Sequence, residues 1–323
     1  MVAAVRVHKA GGPEVLTFED VDLPAPGPGQ IRIKQGAIGI NYIDTYFRQG
    51  AYPPPNGYPF IAGNEGSGDV VAVGSGVTDI KVGDRVAAVA PLGGYAAERI
   101  LPADRAVKVP SNISHEQAAG MMLKGMTAQY LLRRTFKVEK GQTVLVHAAA
   151  GGVGLILCQW AKHLGATVIG TVGSDDKVAV AKSHGCDHVL RYDDFAADVR
   201  DITGGKGVPV VYDSIGKVTF ENSLKCLRPR GILASFGESS GDPPPVTAPQ
   251  LGNMGSLFVT HPSLIDYTAT RAELLETAND LFAMVASGKI RIDTTKSYPL
   301  HEAAQAHRDV EARKTTGSVV LIP

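Results

Sequence analysis

TVLVHAAAGGVGLILCQWAKHL, residues 143–164, is the stretch on which the reading of the fold turns. The apolar run at 143–149 predicts a buried strand, and the apolar spacing from Val153 to Leu164 predicts a helix. Between them Ala148, Gly151 and Gly154 recur at three-residue spacing. Small residues there let the backbone turn tightly, bring amide N–H groups close to a pyrophosphate and let the helix pack against the strand. The helix N-terminus then favours the anion. A tight strand–helix turn without a ligand would use the same residues, so the flanking pattern decides.

Downstream, the alternation of strand and helix continues. ATVIGTV (166–172) reads as a strand, Asp175 to His184 as a helix stopped by Gly185, and CDHVLRY (186–192) as the next strand. Phe195 to Ile202, VPVVYD (208–213), Val218 to Leu227, GILASFG (231–237) and SLFVT (256–260) extend the series. Strands separated by helices imply an α/β fold with a doubly wound parallel sheet, the Rossmann arrangement. Upstream the texture differs. Met1 to Val7, Gln30 to Gly36, Gly68 to Val73 and Arg85 to Val89 read as short strands split by turn signals such as PAPGPG and VGSG, which fits a small β-barrel-like unit. In the tail, a helix over Ala272 to Ser287 puts Leu274, Leu275, Ala278, Leu281, Phe282 and Val285 on one face. KIRID, a short helix after Pro299 and the strand SVVLIP follow. The expected organisation is a first domain at 1–124, a nucleotide-binding domain at 125–262 and a segment at 263–323 that returns to the first domain.

Composition bounds the function. A chain of 323 residues suits two domains. Lys plus Arg equals Asp plus Glu at 32 each, so no broad field draws it to nucleic acid or an anionic membrane. Cys158, Cys186 and Cys226 are scattered without a CxxC, which supports neither a disulfide framework nor a cysteine-rich zinc site. The start, MVAAVRVHKAGGPE, turns polar at His8, too early for a signal peptide. No apolar run reaches the roughly 18 residues of a membrane span. A cytoplasmic location is expected.

The choice of nucleotide lies at the end of the second Rossmann strand. NAD-specific folds usually place Asp or Glu there, roughly 20 residues past the glycines, to hold the ribose hydroxyl. Here the segment is TVGSDDK (171–177), and the strand-end position falls on Gly173. A ribose 2′-phosphate carries about −1.5 to −2 charge if it behaves like other phosphomonoesters. Gly173 leaves room for it, Ser174 can donate to it and Lys177 can neutralise it, so NADPH is expected. Asp175 and Asp176 complicate this; they could cap the helix and leave Lys177 an ordinary surface lysine.

The layout of a small β domain, a central nucleotide domain and a returning tail resembles the medium-chain dehydrogenase/reductase superfamily. Its zinc alcohol dehydrogenases carry a Cys ligand in G-x-C-x-x-D and a His ligand in G-H-E. The matching segments here are GINYID (39–44) and GNEGSG (63–68), with Asn41 at the cysteine position and Asn64 at the histidine position, while Asp44 and Glu65 remain. PLGGYAAE (91–98) has no cysteine, so the four-cysteine structural lobe is missing too. Neutral amides are poor zinc ligands, and no metal is expected. Without a Lewis acid, alcohol oxidation loses its usual driver. Quinones, or alkenes conjugated to a carbonyl, become the favoured substrates.

Within that superfamily the chain resembles the zinc-free NADPH:quinone oxidoreductases, the zeta-crystallin-like family with a GroES-like β-barrel domain. The stretches that carry this are NYIDTYFRQGAYP (41–53), GNEGSG, MMLKGMTAQYLL (121–132), VHAAAGGVG (146–154), YDSIG (212–216), SFG (235–237), FVTHPSL (258–264) and RKTTGSVVLIP (313–323). The resemblance implies that Asn41, Asp44, Tyr46, Tyr52 and Asn64 line the nicotinamide and substrate end. It implies that Lys177 and Tyr192 contact the adenosine phosphate and that Phe236, Gly237, Phe258 and Val259 border the nicotinamide; the turn residues Ala150, Gly151, Gly152 and Val153 are expected to hold the pyrophosphate, and Gly173 and Ser174 to meet the 2′-phosphate beside Lys177. It also implies a homodimer, through edge strands of the nucleotide-binding sheet. One departure is His261, where the family often has arginine.

Purely structural roles compete at several positions: packing for Tyr46 and Tyr52, acceptance of backbone amides for Asp44 and Glu65, satisfied histidines at His147 and His261, core packing for Cys158, and a surface role for Lys124. The expected activity is transfer of reducing equivalents from NADPH to a quinone held against the cofactor in the cleft between the domains, with no obligatory general acid. An alkenal or enone double-bond reductase uses the same fold and cofactor. A non-catalytic nucleotide-binding protein is the reading from another class, and the neutral charge argues against RNA as its partner.

Overall fold

The computed structural model describes residues 1–90 and 92–323. The chain forms two compact units: Met1–Lys124 with Thr270–Ser287 and Ile292–Pro323, and Gly125–Ala269 with Gly288–Arg291. Residues 263–269 therefore group with the nucleotide-binding unit, and the tail divides after Ala269.

In that second unit the described residues form a six-stranded sheet whose neighbouring strands all run parallel. Its order across the sheet is His188–Arg191, Thr167–Val172, Thr143–Val146, Val208–Asp213, Leu227–Ser235 and Phe258–Thr260. In chain order within the unit this is 3-2-1-4-5-6, the doubly wound order, with its switch point beside strand Thr143–Val146. Leu145, Ile169, Val208, Val211 and Leu233 from the strands pack with Phe195, Val199, Phe220 and Leu224 from helices Phe195–Ile202 and Phe220–Cys226.

The first strand stops at Val146, short of the expected 149, because Ala148 takes a left-handed φ of 51° and starts the turn. Helix Gly152–His163 follows. A Cβ on Gly154 would lie 2.2 Å from the Ala148 carbonyl oxygen, so only glycine permits this approach of helix to strand. The helix expected over Asp175–His184 divides into a 3-10 turn, Asp175–Lys177, and a short α-helix, Val178–Ser183.

The first unit is built on the long strand Gln30–Gly39, which pairs antiparallel with Glu65–Val73, Glu98–Pro102 and the closing strand Ser318–Ile322. The tail thus completes a sheet begun near the N-terminus, with Thr294–Pro299 at its outer side. Helix Arg271–Ala286 starts at a capping box in which Thr270 Oγ1 accepts from Glu273 N at 3.2 Å and the Glu273 carboxylate accepts from Thr270 N at 3.1 Å. Its buried face is Leu274, Thr277, Ala278, Leu281, Phe282 and Met284, while Leu275 and Val285 of the expected stripe are half-buried.

Gly154→Ala is expected to destabilise the protein by about 1–3 kcal/mol, the cost of overpacking a tight contact. Gly173→Ala, whose added Cβ would meet nothing nearer than Tyr192 Cε2 at 3.8 Å, is expected to leave stability almost unchanged. Urea denaturation of both variants checks the contrast.

Candidate active site

In the nucleotide-binding unit, Gly151 caps helix Gly152–His163 and Ala150 is buried beneath the turn. Gly151, Gly152 and Val153 are half-buried. First-turn N–H groups have no partner within their own helix, so this turn offers donors to an anion. Ala148 N donates to the Tyr192 hydroxyl at 3.0 Å. The same tyrosine ring edges Gly173, so one side chain joins the glycine turn to the end of the second strand. Gly173 is exposed, has no left-handed φ and meets no close neighbour, so protein packing does not require a glycine there. Ser174 and Lys177 stand half-buried beside it.

At the fourth strand's end, Asp213 is fully buried. Its carboxylate accepts from Ile215 N (2.8 Å), Gly216 N (3.1 Å), the Thr219 hydroxyl (2.8 Å) and the Ser223 hydroxyl (3.1 Å), which fixes the YDSIG turn. Phe236 N donates to Asp213 O at 2.8 Å and sets the SFG segment. Phe236, Gly237 and Val259 are half-buried, and Phe258 is 58% exposed on the edge strand. His147 is buried between Thr171 Oγ1 (2.8 Å) and Ser223 Oγ (2.9 Å), and burial lowers its pKa, so it is a neutral structural residue. His261 is mostly exposed, 4.0 Å from Glu238. Cys158 is buried core.

The first unit holds a buried polar cluster. Helix Tyr42–Gln49 begins at Asn41, and Asp44 reaches back to Asn41 N at 2.8 Å. The Asn41 amide donates to Glu65 Oε1 at 2.8 Å, and the Asn64 amide donates to Asp44 Oδ1 at 2.5 Å. Asn64 Oδ1 accepts from Leu92 N at 3.2 Å. Glu65 also accepts from Lys124 Nζ (2.9 Å) and Leu123 N (2.6 Å), so Lys124 is a buried ion-pair partner and not a surface lysine. Both amides that stand at the zinc-ligand positions are therefore turned, N–H first, onto carboxylates, and an ammonium already neutralises Glu65. These residues do not fit a zinc ion.

Sequence reasoning missed how far this cluster extends. Tyr95 donates its hydroxyl to Asp44 Oδ2 at 2.8 Å and lies 2.9 Å from His307 Nε2. Arg48 Nη1 stands 3.0 Å from His307 Nδ1, and the Arg48 guanidinium is held bidentately by Glu311 at 2.7 and 3.0 Å. Arginine only donates, so His307 Nδ1 accepts and its Nε2–H points to Tyr95. The hydrogen bonds then run in one direction, from Arg48 to Asp44. Burial pushes the Asp44 carboxyl up to about 6 and the His307 imidazole down to about 3. The available signal was two i, i+4 pairs of polar residues, Asp44 with Arg48 and His307 with Glu311, each on one face of a helix.

Tyr46 lies on this cluster's helix, Tyr42–Gln49, and Tyr52 lies just past its end. Both are half-buried, with ring centroids 5.2 Å apart, and Tyr42 and Phe47 extend the aromatic group.

A doubly wound unit with a glycine phosphate turn and no acid at the strand-end position, joined in one chain to a β unit with amides at the zinc positions, defines a zinc-independent nicotinamide-nucleotide oxidoreductase. Residues 27–135 match the family described as alcohol dehydrogenase GroES-like domain, and residues 152–283 match zinc-binding dehydrogenase. A quinone oxidoreductase of Pseudomonas aeruginosa is 49% identical over the whole of both chains. A 2-haloacrylate reductase of a Burkholderia species is 49% identical, covering 100% of this chain and 99% of that protein. The structure of Escherichia coli quinone oxidoreductase complexed with NADPH superposes with a TM-score of 0.97 at 48% identity, covering 99% of this chain and 100% of that one. The chain belongs to the quinone oxidoreductase family of the medium-chain dehydrogenase/reductase superfamily.

Asp44 and His307 have opposite effects on stability with pH. The folded state keeps a proton on Asp44 between pH 3.8 and about 6 that the unfolded chain has lost, so this contribution falls as pH rises through that window. The unfolded chain protonates His307 below 6.5 while the folded state resists to about 3, so that contribution falls as pH drops. Between pH 4 and 6 they offset one another. Asp44→Asn is expected to expose the histidine slope, losing about 1.4 kcal/mol per pH unit relative to the parent as pH falls from 6 to 4. Urea midpoints across that range test this; parallel curves for the two proteins would contradict it.

Proposed function

We propose that the protein is an NADPH-dependent quinone reductase that works without zinc. The observation that carries this is the pairing of two substitutions: amides where a metal would be ligated, and Gly173 where an NAD-specific acid would stand. Full-length similarity to quinone oxidoreductases supports it. When bound, NADPH supplies the reducing equivalents, and with a proton they convert a quinone to its hydroquinone. The chain's own residues orient and shield.

Ala150, Gly151, Gly152 and Val153 hold the pyrophosphate by their backbone. Ser174, Lys177 and Tyr192 take the 2′-phosphate at Gly173, and Phe236, Gly237, Phe258 and Val259 border the nicotinamide. Asn41, Asp44 and Asn64 act through their hydrogen bonds, holding helix Tyr42–Gln49 and thereby Tyr46 and Tyr52, whose rings meet the flat acceptor. Supporting this role for Asp44 is its burial beneath Asn64 and Tyr95. A homodimer belongs to the same reading, supported by the edge position of strand Phe258–Thr260 in its sheet. No helix among the described residues is long and apolar enough to cross a membrane, and a cytoplasmic location completes the proposal.

The 2-haloacrylate reductase relative favours a second reading, reduction of an alkene conjugated to a carbonyl. Steady-state rates with 1,4-benzoquinone and with a 2-alkenal at equal NADPH separate the two; a higher kcat/KM for the alkenal would overturn the first. Lys177→Ala is expected to raise KM for NADPH at least about 10-fold, with little change for NADH. Equal effects on both would contradict the assignment. Tyr46→Phe is expected to lower kcat modestly, since a hydroquinone anion takes protons from solvent. A loss above about 10⁴-fold would show instead an essential acid.

A further inference from the structure

We propose that Arg191 is a second cationic ligand of the adenosine 2′-phosphate, and that Asp175 holds the place of that phosphate in the unliganded protein. This inference rests on NADPH being the nucleotide.

Strand His188–Arg191 runs parallel to Thr167–Val172 with Arg191 in register with Val172, so Arg191 ends its strand beside Gly173. Its guanidinium donates to the Gly173 carbonyl oxygen at 2.8 Å and to Asp175 Oδ1 at 2.7 Å. The cation thus reaches across the corner that the missing strand-end acid leaves open. The neighbouring residue, Tyr192, edges the same glycine. Two residues adjacent in sequence flank Gly173, one with a ring and one with a fork of donors suited to phosphate oxygens. Ser174 and Lys177 approach from the other strand's end. The Asp176 carboxyl is held below its usual range first by the Ser174 hydroxyl and further by the charges of Lys177 and Arg191, which places positive potential at this corner.

Asp175 then has a defined part. It lies two residues past the position of an NAD-type acid, its side chain is 94% exposed and Arg191 is 40% exposed. An ion pair so open to water is weak and readily exchanged. A phosphate with nearly twice the charge and three acceptor oxygens displaces the carboxylate from the guanidinium. NADH brings no anion to this corner, so it leaves the pair in place. Arg191 and Asp175 therefore act on NADPH affinity with opposite signs, and neither acts on NADH. A lysine and an aspartate at a helix start could be read as ordinary caps; an arginine from a separate strand pinned over the glycine is not explained that way.

Isothermal titration of NADPH and NADH into the full-length protein and its Arg191→Gln, Arg191→Lys, Asp175→Asn and Lys177→Ala variants tests this. Arg191→Gln is expected to weaken NADPH about 10-fold or more while NADH changes less than about 2-fold, with Arg191→Lys recovering part of the loss. Asp175→Asn is expected to tighten NADPH about 2- to 5-fold and leave NADH alone. If Arg191→Gln weakens both nucleotides equally or neither, or Asp175→Asn weakens NADPH, the proposal falls. If the parent protein prefers NADPH and only Lys177→Ala loses that preference, Arg191 alone is excluded. A parent that binds NADH as tightly as NADPH overturns the cofactor reading as well.

Discussion

Two carboxylates, Asp44 and Glu65, are buried in one hydrogen-bonded cluster, and the fold has to satisfy both. Leaving one buried charge unpaired costs several kcal/mol. The amides of Asn41 and Asn64 do much of that work, with Lys124, Tyr95 and the backbone of Leu123 completing it. Because Asp44 is also the third residue of helix Tyr42–Gln49, the pairing seats that helix and its aromatic face. The zinc-ligand positions are thereby filled by amide–carboxylate hydrogen bonds and closed by the Lys124–Glu65 ion pair. Chemistry that depends on a metal to ionise a hydroxyl loses its means there.

The nucleotide-binding unit meets a complementary constraint with small side chains. Gly154 lets its helix lie against the turn, and Ala148 accepts a left-handed conformation to start it. Tyr192 ties that turn to Gly173. Gly154 is glycine because the backbone leaves no room. Gly173 is glycine although the backbone leaves ample room, so packing does not account for it.

The doubly wound sheet was legible because its signals are local. Periodicity, turn glycines and strand-end positions all lie within a few residues of one another, and the expected strands differ from the observed ones by small shifts such as the early end at Val146. The amides at 41 and 64 were legible through family resemblance, since no local pattern singles out an asparagine. Two features escaped. Arg48 meets His307 across 259 residues of chain, a pairing that leaves no period to detect. Arg191 belongs to a strand of its own, and only the parallel register brings it to Gly173. The helix expected over Asp175–His184 begins as a 3-10 turn for a local reason: Ser174 at its cap and Asp175 and Asp176 in its first turn carry short polar side chains that favour caps and turns over a helix interior.

The central claim is that amide–carboxylate pairing stands here where zinc enzymes of the superfamily hold their metal, and that quinone reduction proceeds without it. Metal content and turnover measured on the same sample address it most directly. The account predicts far less than one zinc per chain by elemental analysis, with quinone-dependent NADPH oxidation undiminished after exhaustive chelation. One tightly held zinc per chain, or activity lost to a chelator and restored by zinc, would contradict it.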